Sequence, residues 1–310
     1  MQNILDSHPE ILGGPEFLHL PGIVKLRRAI HKSIMCKYIN IICTRDEVDS
    51  YLTSFVSNLF LRLADQNECK LYSEKTPENV LIFSELIELF PEAYFIQVIR
   101  DPRAIVSSLQ QVGKRAKEKN IQHANFTANI SSSISYVRQC FDAGFSVAKN
   151  GDPRILTIVY EDLIKNPDRE TKIICKFLGI EWNESMLFPG EKKHLGESAI
   201  TSNSGEVWYN AKMYNRNIDH EEVHKWKTKL TLSQQIKVTL AFEDNPDLIK
   251  CGYDFTLNSL EQANPIRLKL AYFFIRFGQK LYRGASRVVR NLPGISIFRR
   301  VLASCSRFLG

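Results

Sequence analysis

The run Ala93-Tyr94-Phe95-Ile96-Gln97-Val98-Ile99-Arg100-Asp101-Pro102-Arg103 passes abruptly from an almost wholly apolar segment to a charged one. A short apolar run of this kind is what a strand buried on both faces requires, and such strands belong to parallel sheets covered by helices. Asp101 followed by Pro102 then reads as an N-cap and a first helical residue, because a carboxylate can accept the free N–H groups of a first turn and proline needs none. The helix so started is expected to run to about Gln111. Working outward, Lys70 to Ser73 reads as an earlier strand, followed by a helix over about Glu78 to Phe90. Arg154 to Tyr160 reads as a later strand, preceded by a long helix over about Asn125 to Lys149. A helix from Asp168 to Leu178 follows, with Gly179 as its stop. Further helices are expected near Ser233 to Phe242 and Pro246 to Lys250, and residues 190 to 220 read as a long functional loop. Strand and helix in alternation predict an α/β fold with a parallel sheet flanked by helices.

Bulk properties narrow the class. With 310 residues, 44% hydrophobic and 24% charged, the chain can bury a large core. Its seven cysteines are scattered and include no C-x-x-C pair, which disfavours a zinc site or a disulfide framework. The net charge of +7 is uneven: after Glu261 there are ten Lys and Arg and no Asp or Glu, leaving about −3 for the residues before. The basic balance therefore belongs to a tail and does not mark the main domain as a nucleic-acid binder. No apolar run is long enough to span a bilayer and no signal-peptide pattern opens the chain, so a cytoplasmic or membrane-peripheral location is expected.

In open parallel sheets, ligands collect beyond the carboxyl ends of strands, where helix N-termini present free N–H groups. Lys75 stands after the first of these strands, Arg100 after the second, and Tyr160 with Glu161 after the third. Two cations and a phenol at such ends suit an anionic ligand with an aromatic or ribose part. Spacing alone leaves several nucleotide-dependent transferases open.

The strings themselves are more specific. Glu74-Lys75-Thr76-Pro77-Glu78-Asn79, Phe90-Pro91, Arg100-Asp101-Pro102-Arg103-Ala104, Val159-Tyr160-Glu161-Asp162-Leu163, Phe177-Leu178-Gly179 and Lys225-Trp226-Lys227 occur in this order. The set resembles the superfamily of sulfotransferases that use 3′-phosphoadenosine 5′-phosphosulfate (PAPS), especially its tyrosylprotein-sulfotransferase-like and bacterial branches, over roughly residues 1 to 255. The resemblance implies a P-loop-like α/β fold and transfer of a sulfuryl group to a hydroxyl acceptor, whether carbohydrate, lipid or tyrosine, without a metal. It implies that Arg100 and Ser108 bind the 3′-phosphate, that Tyr160 contacts the nucleotide, that Glu16 is the catalytic base and that Lys75 neutralises charge developing during transfer. Guanidinium suits phosphate and a carboxylate suits proton abstraction. Val112 stands where some members carry a further arginine. His8, followed by Pro9, reads as structural.

In the family the segment like Leu5-Asp6-Ser7-His8-Pro9-Glu10 follows a strand and a Gly-rich loop that cradles the 5′-phosphosulfate. Here Met1 falls after that loop, so the expectation is a sheet without its first strand: either Met1 is internal to a longer protein, or the chain is a truncation. A non-catalytic relative that binds PAP or a membrane surface is one rival, and a nucleotide-dependent phosphotransferase is another. The domain division expected is 1–255 for the sulfotransferase domain and 256–310 for a basic amphipathic helical tail. From Lys269 to Arg290 the basic residues fall within an arc of about 80° at 100° per residue, with apolar residues on the rest. This pattern suits a helix lying on an anionic membrane, or a helix docked on the domain with its charges in water.

Overall fold

A computed structural model describes residues 1–195, 205–208, 216–219, 223–260 and 268–277. Much of the expected loop at 190–220 and the tail beyond 277 lie outside these residues. The chain divides into two units, one of residues 1–99 and 139–220, the other of residues 100–138 and 221–310.

The first unit holds α1 (Gln2–Asp6), β1 (Ile11–Gly13), α2 (Leu20–Met35), α3 (Arg45–Gln66), β2 (Leu71–Ser73), α4 (Phe83–Leu89), β3 (Phe95–Ile99), β4 (Ile155–Val159), α7 (Tyr160–Lys165), α8 (Pro167–Leu178) and α9 (Gly205–Trp208). β1 pairs with β2 and β3 with β4, both in parallel, with Leu12 opposite Tyr72 and Gln97 opposite Thr157. Among the described residues these are two separate two-stranded ladders. They share one apolar core: Ile11 of β1, Leu71 of β2, Ile96 of β3 and Ile158 of β4 meet Ile4, Leu5, Leu163, Ile174 and Met186. A second cluster joins Leu20 and Val24 of α2, Val56 of α3 and Leu86 of α4. The chain is thus an α/β protein with parallel strands flanked by helices, as the apolar runs require.

The second unit is built on α5 (Pro102–Glu118), packed against α10 (Trp226–Lys229) and α11 (Leu232–Phe242), with α12 (Pro246–Lys250) after them. Its buried residues include Val106, Leu109 and Val112 of α5 and Ile236, Val238 and Phe242 of α11. α6 (Ile130–Ala148) is divided between the units at Arg138 and Gln139.

Several boundaries differ from expectation for local reasons. The helix expected over 78–90 is a 3₁₀ stretch, Pro77–Ile82, before α4 begins. α5 continues to Glu118, beyond Gln111, because Val112, Gly113 and Ala116 extend its buried stripe. Asp101 caps it as expected, accepting the N–H of Arg103 at 2.8 Å. The helix expected from Asn125 starts at Ile130, after a 3₁₀ turn at Asn125–Thr127. Gly179 closes α8 in the left-handed region at φ 69°, where a side chain would be strained. β1, α2, α3, α7, α9 and α10 are additional to the expected elements, and Tyr160, expected to end the strand, opens α7.

Candidate functional site

The site in the first unit grows from the chain just after β2. Glu74 is half-buried, and its carboxylate is a hub. Oε1 accepts the backbone N–H of Phe17 at 3.1 Å and the hydroxyl of Thr76, while Oε2 accepts the side-chain amide of Asn79 at 2.7 Å. Glu74, Thr76 and Asn79 of the motif are therefore scaffold. They tie the strand end to residues 15–17, and that tie presents Lys75. Lys75 donates through Nζ to Oε1 of Glu16. The lysine is 40% exposed and the glutamate 23%, so an ammonium and a carboxylate meet within reach of solvent. Burial, acting first, raises the pKa of Glu74 above its usual 4.5, against the hydrogen bonds from Thr76 and Phe17.

The backbone leading to Glu16 is shaped by close approach. A Cβ at Gly13 would collide with the side chain of Asp6, and one at Gly14 with the ring and hydroxyl of Tyr72. Tyr72 stacks on Phe60 at 4.6 Å between ring centroids, and burial, then the charge of Glu74, pushes its phenol up to about 12. Asp6 is buried and accepts the Gly13 N–H at 2.6 Å. His194 Nδ1 lies 2.5 Å from Asp6 Oδ2 and its Nε2 2.7 Å from the carbonyl of Pro189. A ring that donates from both nitrogens, the imidazolium form, satisfies both acceptors. His8 is arranged differently. Its Nδ1 accepts the Glu10 N–H at 3.1 Å and its Nε2 lies 2.7 Å from the carbonyl of Glu181, which a neutral ring protonated on Nε2 satisfies. The Asp6-x-His8-Pro9-Glu10 string thus folds the turn from α1 into β1.

Tyr160 is half-buried at the carboxyl end of β4 and opens α7. Of the five residues singled out from the sequence, Lys75 and Glu16 meet directly.

In the second unit Arg100 directly follows β3, and Ser108 stands eight residues on, exposed on α5 beside the buried Ser107. Val112 is buried against the unit's core, and Lys114 pairs with Glu118 at 3.9 Å on the exposed side. Arg103 has a structural task. Its guanidinium donates to both oxygens of Asp101, with Nη2 to Oδ2 at 2.8 Å, and through Nη1 to Ser259 Oγ at 2.8 Å. It also lies 4.4 Å from the ring centroid of Trp226 and 5.2 Å from that of Phe255. In the Arg-Asp-Pro-Arg string, Asp101 and Arg103 therefore lock the first turn of α5, and Arg100 stands at the end of β3.

Among the described residues no His, Cys, Asp and Glu group could hold a metal ion, and no helix is long and apolar enough to cross a membrane.

The chain is similar to known proteins along most of its length. Protein-tyrosine sulfotransferase 1 of Danio rerio is 23% identical over 273 residues, which are 87% of this chain and 73% of that protein. Protein-tyrosine sulfotransferase A of Caenorhabditis elegans is 26% identical over 302 residues, 95% of this chain and 74% of that one. The sulfotransferase domain of the Synechococcus PCC 7002 olefin synthase has the same fold, with a TM-score of 0.53 at 21% identity over 82% of this chain and 89% of that one. The family model described as the sulfotransferase family matches residues 1–184. Because that stretch is more than half of the 310 residues, the chain belongs to the sulfotransferase family.

Proposed function

We propose that the chain transfers a sulfuryl group from PAPS to a hydroxyl acceptor, with Glu16 as the general base and Lys75 as the cation that answers developing negative charge. The observation that carries the reading is the contact between Lys75 and Glu16, held by the Glu74 hub. PAPS supplies a sulfuryl group on a phosphosulfate anhydride whose leaving group is PAP. The acceptor oxygen forms the new S–O bond, the anhydride S–O bond breaks with its electrons going to PAP, and the acceptor's proton goes to the Glu16 carboxylate. Lys75 neutralises charge gathering on the transferred group and the departing oxygen. Arg100 and Ser108 are assigned to the 3′-phosphate, since a guanidinium grips phosphate bidentately and the exposed hydroxyl of Ser108 is open to a ligand. Tyr160 is assigned to the nucleotide. The similarity to protein-tyrosine sulfotransferases favours a protein tyrosine among the acceptors.

The test measures PAPS affinity by calorimetry and transfer to a panel of phenolic and carbohydrate hydroxyls. Glu16→Gln should lower turnover at least about a hundredfold with PAPS affinity kept. PAP binding without turnover on any acceptor would select the non-catalytic rival. Transfer from ATP in place of PAPS would select the phosphotransferase.

A further inference from the structure

The helix over residues 268–277, α13, shows which of its faces meets the second unit and which meets water. Tyr272 donates its hydroxyl to Glu243 Oε2 at 3.2 Å, and Arg276 Nη2 lies 3.5 Å from Glu243 Oε1. Leu268, Ala271, Tyr272 and Ile275, spaced as one helix face, are half-buried. On the opposite face Leu270, Phe273, Phe274 and Phe277 are 53%, 61%, 66% and 52% exposed. Their rings touch one another, Phe273 stacking with Phe277 at 6.1 Å and meeting Phe274 edge-on at 5.9 Å, so they form one continuous patch.

Docking alone does not account for this arrangement, since a merely docked helix turns its largest apolar side chains toward the core and polar ones to water. Here Leu268, Ala271, Ile275 and the tyrosine face inward, yet three phenylalanines and a leucine project into water. The placement of charge is equally informative. At 100° per residue the stripe Leu270, Phe273, Phe274, Phe277 centres about 90° around the axis, and the docked face about 250°. Lys269 and Arg276 fall about midway, on the edge that joins the two faces. When an aromatic stripe enters a bilayer, that edge lies at the depth of the headgroups. The sequence from 262 onward carries ten basic residues and no acidic one, so the charge of the whole segment complements an anionic surface.

We infer that α13 is an interfacial docking helix: Leu270, Phe273, Phe274 and Phe277 enter the headgroup–acyl boundary of an anionic membrane, while Tyr272 and Arg276 fasten the helix to Glu243. The inference is independent of the sulfotransfer reading, because it rests on exposed aromatics and segment charge in a helix to which no catalytic role is assigned.

The test is co-sedimentation of the full chain with vesicles of phosphatidylcholine alone and with vesicles containing roughly one-third phosphatidylserine. The chain should bind the anionic vesicles more tightly, and F273S/F277S should weaken that binding at least about tenfold while circular dichroism and thermal unfolding stay unchanged. These two side chains project into water, so the substitution removes no core contact. Equal vesicle binding by the variant would overturn insertion and leave charge alone as the cause. So would absence of binding to either vesicle. Conversion of a dimer to a monomer by the variant, without vesicle binding, would overturn the membrane in favour of a second copy as occupant.

Discussion

The backbone N–H of Phe17 donates to the carboxylate of Glu74 at 3.1 Å, and this bond between sequence neighbours of Glu16 and Lys75 aligns the two side chains proposed for the reaction. Replacing Glu74 with Ala strips partners from Phe17, Thr76 and Asn79 together. We expect a loss of about 2 to 3 kcal/mol in urea unfolding and a fall in turnover larger than the fall in PAPS affinity, since the contact between Lys75 and Glu16 loosens.

The same carboxylate sets a pH dependence. Its pKa is raised in the folded state, so the native protein binds the proton more tightly than the unfolded chain does. The Glu74 contribution is fully present below the unfolded value of 4.5 and is lost as pH rises through the raised folded value. Glu74→Gln should flatten that descent. Urea midpoints measured across this window check it, and an unchanged slope would contradict the burial of Glu74.

Arg27 of α2 makes the opposite case. It donates through Nε and Nη2 to the two oxygens of Asp49 at 2.8 and 2.7 Å, with Glu88 at 3.0 Å on Nη1. The Arg27 hydrogen bonds hold the Asp49 pKa below its usual 3.8. Its contribution is therefore present above the unfolded value and lost as pH falls through the lowered folded value. Asp49→Asn should cost about 3 kcal/mol near neutrality, by leaving a buried guanidinium under-compensated. Acid unfolding of the variant should start from that lower plateau and show a shallower slope.

For the second unit, Arg103→Lys keeps the charge but cannot span both Asp101 oxygens while lying over Trp226. A loss of about 1 to 3 kcal/mol is expected. By contrast Arg100→Ala should raise the PAPS dissociation constant at least about tenfold. Calorimetry paired with thermal unfolding separates these outcomes.

What the sequence made legible follows from where the physics is local. The apolar runs at 93–99 and 154–160 read as parallel strands, and β3 and β4 pair in parallel within them. The cap at Asp101 and the stop at Gly179 depend on neighbouring residues only, and both stand as read. β1 is three residues long, too short for a periodicity to show. α3 was hidden because Tyr51, Phe55 and Leu59 lie exposed on it, blurring the apolar stripe, although its Thr44–Glu47 capping box was there to be read. The union of Lys75 with Glu16 joins residues 59 positions apart, and no local rule reaches that far. The scaffold task of Glu74 had a signal in its own string: a glutamate, a threonine and an asparagine at a strand end are a carboxylate with two donors beside it.

The ties on α1 have a consequence in time. Asp6 is bound to His194 across 188 positions, the carbonyl of Ser7 to Ser185 across 178, and His8 to the carbonyl of Glu181 across 173. A nascent chain that had emerged only as far as Gly179 would hold the whole of β1, β2, β3 and β4 yet none of these partners. α1 is thus made well before the partners that lock it, and until residues 181–194 arrive the buried Asp6 and the neighbouring His8 await their counterparts.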